Sequence, residues 1–137
     1  MEDWKVRAAQ ALDPTLSKFL SLNGILLQRV LAHSSKGCVD RIVFDFGKSR
    51  LSVRADGDDD SLDLGVESKD SKGAGWVDLT RRNPWRHCVG KPFGWGWVAV
   101  NQQGYPDGLL ISFGNIRPQL MLNVVASSIK TASINFL

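Results

Sequence analysis

The sequence predicts an α+β fold. Its core is a strongly curved, mostly antiparallel sheet of about seven or eight strands, partly barrel-like. A helix or kinked helix pair stands at the N-terminus, and a short helix is expected near 84–89. Three observations carry this. Apolar residues repeat at helical spacing before Asn23-Gly24 and with period two after it. The period-two segments are joined by short connections, which favour antiparallel pairing. No βαβ unit repeats along the chain, which excludes a doubly wound parallel sheet.

Within residues 3–12, Trp4, Ala8 and Leu12 form the stripe of an amphipathic helix. Asp13 suits an N-cap, and Pro14 suits a first helical position, where its missing N–H is not needed. Leu16, Phe19 and Leu20 make a second stripe. Asn23-Gly24 ends it, since both residues tolerate left-handed backbone. From Ile25 to Ala32 both alternating sets are rich in apolar groups, as in a central strand covered on both faces. Ser34 to Gly37 is a loop. In the following hairpin Ile42, Phe44 and Phe46 share one face, while Arg41 and Asp45 take the other. Gly47-Lys48 turns the chain, and Leu51, Val53 and Ala55 return opposite Ser52 and Arg54. Leu62, Leu64 and Val66 predict a further strand, with Asp63 and Glu67 toward water.

Residues 68–75 are polar and glycine-rich, and predict a flexible loop within one domain spanning 1–137. Asn83-Pro84 predicts the cap and first turn of a short helix that holds Trp85 and Cys88 and stops at Gly90. Pro92 to Phe113 predicts the central hairpin, around a turn from Asn101 to Gly108. Leu120 to Ala126 and Lys130 to Phe136 predict the last strands, with Ser127-Ser128 as a bulge or turn.

The chain has 137 residues, 43% hydrophobic and 23% charged, with a net charge of +3. A basic excess this small does not by itself indicate nucleic acid. Cys38 and Cys88 lie far apart with no CxxC partner, as expected of reduced thiols. The N-terminus lacks a basic-then-apolar pattern, and no apolar run approaches the roughly 20 residues of a membrane span. A cytoplasmic protein with no membrane association is expected.

Three stretches could carry chemistry. In the first, Phe93, Trp95, Trp97 and Ala99 alternate with Gly94, Gly96, Val98 and Val100. Either the aromatics fill the core and the glycine face seats a helix, or part of the aromatic row stacks on a ligand or partner. Trp76 and Trp85 lie near it in sequence, among Arg81, Arg82, Arg86, His87 and Lys91. Aromatic and basic side chains together suit single-stranded nucleic acid, or a protein hot spot. The second stretch is acidic. Asp56, Asp58, Asp60 and Glu67 match positions 1, 3, 5 and 12 of a calcium loop. Ser61 stands where that loop needs glycine, and the flanks read as strands rather than helices. The other readings are a solvated acidic hairpin loop whose charges blunt a sheet edge, and a surface at Asp58, Asp59 and Asp60 for a basic partner. The third is the Asn101–Gly108 turn, whose Asn101, Tyr105 and Asp107 serve the turn itself. No catalytic residue is assigned and no cofactor is expected. G-x-S-x-G and G-x-x-x-x-G-K-[ST] are both absent, and adjacent His87 and Cys88 point apart.

The segment G-K-P-F-G-W-G-W-V-A-V-N-Q-Q-G-Y-P-D-G-L-L-I-S-F, with the Leu120–Ile134 strands after it, resembles small bacterial α+β proteins of unknown function. Some of these are immunity-protein-like. The resemblance covers roughly the C-terminal third and implies a fold more than an activity. The expectation is therefore a non-enzymatic protein-binding module, an immunity-type inhibitor in its most specific form. Its partner is another protein or a second copy of the chain. The expected surfaces are Asp58, Asp59 and Asp60, and Arg81, Arg82, Trp85 and Arg86. The alternatives are a single-stranded nucleic-acid or polyanion binder and a calcium-binding domain.

Overall fold

The computed structural model describes residues 14–58, 60–67 and 73–134. The helix expected over residues 3–12, the Asp13 cap, residues 68–72 of the expected loop and the end of the last strand lie outside the described residues. Helix α1 covers residues 14–22. Nine strands follow among the described residues: β1 Arg29–Ser35, β2 Cys38–Asp45, β3 Arg50–Asp56, β4 Ser61–Glu67, β5 Trp76–Asp78, β6 Phe93–Val100, β7 Pro106–Phe113, β8 Leu120–Val125 and β9 Ser128–Ser133.

The strands form two antiparallel sheets, not one curved sheet and not a barrel. The first has the order β4-β3-β2-β1-β5 and the second β6-β7-β8-β9. The reason lies in the connection from Leu79 to Pro92. It carries the chain off the β5 edge and starts a new sheet, whose apolar face covers the first. Residues 24–27 tie the two sheets together. Gly24 and Leu27 N–H groups donate to Phe93 and Lys91 carbonyls at 2.9 and 3.0 Å, and Phe93 N–H returns a bond to Ile25. The central strand expected from Ile25 therefore begins at Arg29. Strand β5 has three residues, too few for a readable alternation.

Inner faces follow from the register. Val30, Ile42, Leu51, Val53, Leu62 and Leu64 come from the first sheet, and Leu109, Ile111, Leu120, Leu122 and Ile129 from the second. Between them runs an aromatic cluster. Phe113 meets Phe44, Phe46 and Phe93 at ring-centre distances of 5.9, 6.4 and 5.7 Å. Phe19 of α1 extends the cluster at 5.9 Å from Phe93, and Trp85 at 5.9 Å from Phe44. Helix α1 buries Thr15, Phe19 and Leu22 and leaves Leu16 and Leu20 exposed. Two of the three residues of its expected apolar stripe thus stay at the surface. The helix expected near 84–89 is a short 3₁₀ turn, Trp85–His87. Pro84 stands at its N-cap and no side chain caps it.

Candidate protein-docking face

The two outer faces of the sandwich are chemical opposites. On the first sheet the outer face carries paired charges, most fully in the row that starts at Arg29. Arg29 opposes Asp45, which opposes Arg50, which opposes Glu67. Arg29 Nε and Nη2 donate to Asp45 Oδ2 at 3.0 and 2.7 Å. Arg41 reaches Glu67 at 2.8 Å and Arg54 reaches Asp63 at 2.8 Å. His33 Nδ1 lies 2.7 Å from Asp40, with Trp76 against its ring at 5.2 Å and the Arg41 guanidinium 6.0 Å from the Trp76 centre. Cross-strand pairs of opposite charge stabilise a sheet and make its face polar.

The second sheet has only Asp107 and Lys130 as charged residues on its four strands. Its register sets Trp97, Leu110, Met121 and Ala132 in one row across all four strands of the outer face. A break in register between Phe93 and Trp95 decides how the aromatics divide. Phe93 points inward, while Trp95 and Trp97 point outward and stack on each other at 6.4 Å. The four residues expected on one face are thus split, with Phe93 against the other three. Each of the two glycines before and between the tryptophans is needed for a close approach. A Cβ on Gly96 would stand 2.7 Å from the Phe19 ring, and one on Gly94 would stand 2.8 Å from the Asn115 carbonyl. Gly96 therefore seats the helix, Gly94 seats the Asn115 turn, and Trp95 faces solvent.

Trp95 is 55% exposed. Beside it a groove of about 510 Å³ runs between α1 and β6, lined by Leu16, Phe19, Leu20, Asn23, Gly94, Trp95 and Gly96. Leu20, on the rim, is 77% exposed. Tryptophan is among the residue types enriched in protein-binding hot spots, and the exposed leucine beside it extends the apolar patch.

The sequence profile of a family of unknown function, DUF6334, matches residues 13–136. The chain belongs to DUF6334. No curated protein and no solved structure matches it. In this DUF6334 chain the function must be read from surface chemistry.

Several expected site residues are placed differently. Trp85 is 5% exposed and packs on Phe44, so it cannot stack on a base or a partner. Burying its indole gains more than solvating it. Arg81, Arg82 and Arg86 remain exposed. The acidic turn lies at the opposite end of the first sheet. Asp56 pairs with Ser61 there, whereas the arginine connection is bonded to the start of β1 through Val30. The two expected surfaces are therefore separate. The calcium pattern does not assemble in this DUF6334 fold. Glu67 ends β4 opposite Arg50 and pairs with Arg41, at the far end of the hairpin from Asp56. Asp56 accepts from Asp58 N–H at 3.0 Å, and Asp60 accepts from Ser127 N–H at 2.9 Å. Asp59 lies outside the described residues. Among the described residues no three His, Cys, Asp or Glu side chains are grouped as metal ligands, and no helix is long and apolar enough to cross a membrane.

The exposed Leu16–Leu20 ridge and the Trp95 groove escaped the sequence reading. The four-residue spacing of Leu16 and Leu20 was the available signal, but it is equally the signal of a buried face.

The two thiols differ sharply. Cys88 is fully buried, and that burial pushes its pKa up to about 12 against the small opposing pull of Lys91. The thiolate is the reactive form. In the folded protein at pH 8, Ellman's reagent is expected to modify half-buried Cys38 and spare Cys88. In urea both should react. Rapid native modification of Cys88 would show that its surroundings open.

Proposed function

We propose that the chain is a non-enzymatic protein-binding module that docks its partner on the outer face of the second sheet and the adjoining α1–β6 groove. The partner is another protein or a second copy of the chain. The observation that carries this reading is Trp95, half out of the fold and stacked on Trp97 beside a glycine-floored groove. Aromatic anchors of this kind supply most of the energy of small interfaces. The low charge of the surrounding strands, which carry only Asp107 and Lys130, lowers the desolvation cost of docking there. An immunity-type inhibitor, which covers the working surface of a toxin, is the narrower version of the same proposal.

The test is native mass spectrometry of the protein recovered from its own host's lysate, run on three chains side by side. The wild type is expected to carry a stoichiometric second chain. Trp95→Asp should weaken that complex at least about 30-fold, the equivalent of a 2 kcal/mol hot spot, with its melting temperature little changed. Lysine at Asp58, Asp59 and Asp60 should leave the complex intact. The reverse pattern, with Trp95→Asp bound and the lysine variant free, would move the docking surface to the acidic turn.

A further inference from the structure

We propose that a second site, independent of the docking face, binds a carboxylate or phosphate oxyanion between the start of β1 and the connection after β5, with Arg29, Arg81 and Arg82 as its donors. These three side chains, with Asp78 and Thr80, line a concavity of about 430 Å³.

The site is held by backbone rather than by chance side-chain positions. Leu79 N–H donates to the Val30 carbonyl at 2.8 Å, and Val30 N–H donates to Thr80 Oγ1 at 3.1 Å. Thr80 N–H donates to Asp78 Oδ1 at 2.9 Å, and Arg82 N–H to the Leu79 carbonyl at 2.9 Å. The turn from Asp78 to Arg82 is thus stapled to β1, and it carries two guanidinium groups to the side of a third. Arg29 is itself fixed, because Nε and Nη2 are spent on Asp45 while its side chain stays 42% exposed.

Charge matching then distinguishes this corner from the rest of the sheet. Arg29, Arg41, Arg50 and Arg54 each stand against a carboxylate of the fold. Arg81 and Arg82 make no ion pair among the described residues. Asp78 faces the concavity, but its carboxylate is already engaged. Thr80, through hydroxyl and backbone, and then Arg29 and Arg81 hold its pKa below the ordinary carboxylate range. Two arginines in no ion pair among the described residues, beside a fixed third, present planar donor forks, which match an oxyanion in geometry as well as in charge. With Trp85 buried, no aromatic side chain among the described residues lines the concavity as a platform for bases. It reads charge and shape, not nucleobases.

The experiment titrates inorganic phosphate and, separately, glutarate into the full chain at pH 7. Chloride keeps the ionic strength constant, so that screening does not vary. Backbone amide NMR follows Thr80, Arg81 and Arg82. Saturable shifts confined to these residues and their neighbours are expected, and Arg81→Gln/Arg82→Gln should weaken the affinity about tenfold. Arg54→Gln, at a solvent-exposed pair on the same sheet, should leave it unchanged. Tighter saturation by phosphate assigns a phosphate-bearing ligand, and tighter saturation by glutarate a carboxylate-bearing one. Linear shifts with both anions, or equal affinity in the double variant, would overturn the proposal. Trp95→Asp should bind the anion as the wild type does, so loss of the docking face and loss of this site are read separately.

Discussion

Phe113→Ala is expected to lower the unfolding free energy by about 3–5 kcal/mol, as truncating a fully buried phenylalanine does. Phe113 is 1% exposed and belongs to β7, but its ring meets residues from both sheets. Phe44 comes from the first sheet, Phe46 from the turn that follows β2, and Phe93 from the second sheet. Removing the ring opens a cavity where the sheets meet, and two hydrogen-bonded ladders cannot slide together to fill it. In a chain of this length the melting temperature should fall by on the order of 10 °C or more. Urea denaturation of the alanine and leucine variants measures it. Leucine should recover more than half of the loss. A change below about 1 kcal/mol in the alanine variant would show that the sheets do not depend on this cluster.

Asp45→Ala is expected to cost about 2–3 kcal/mol, although it removes an acid from a face of surface charges. Asp45 is 3% exposed. Its Oδ2 takes both bonds from Arg29, its Oδ1 takes the Gly47 amide at 2.8 Å, and Arg50 Nε lies 3.6 Å from that same oxygen. Truncation removes at once the acceptor of the Gly47 amide, the acceptor of Arg29 Nε and Nη2, and the carboxylate nearest Arg50 Nε. Asp63→Ala, which breaks the exposed Arg54 pair, should cost under about 1 kcal/mol. Thermal or urea unfolding of the two variants compares them directly. Equal small losses would mean that the Asp45 carboxylate is screened as well as the exposed one is.

The contrast between these two acids also shows what the sequence could convey. Alternation placed Asp45 and Asp63 on the outer face correctly, because the period of a strand is local and each residue reports its own side. Burial is not local. Asp45 is buried by the arginines beside it and by the Gly47 turn, which no periodicity encodes. The same limit explains the second sheet. The stretch from Pro92 to Phe113 was legible as a hairpin. Whether that hairpin extends the first sheet or covers it depends on where the Leu79–Pro92 connection travels. The register break at Gly94 is a further case. Strict alternation keeps Phe93 with Trp95, and a single irregular residue turns one into the core and the other to solvent. Trp85 sits among arginines in sequence, yet its indole is taken by Phe44 across the fold. The proposed docking groove was the least legible part, because it is built from leucines four residues apart, and a helix uses that spacing for buried and exposed ridges alike.

The opposition between the two outer faces has a calorimetric consequence. A complex formed on the tryptophan face removes apolar surface from water, so its binding heat capacity must be negative, and its enthalpy must grow more exothermic as the solution is warmed. Anion capture at the arginine corner buries little apolar surface, and its enthalpy should stay nearly level over the same interval. The two proposed surfaces thus have separable thermal signatures. Titrations at a few temperatures would report which surface a newly found ligand occupies before any complex is crystallised.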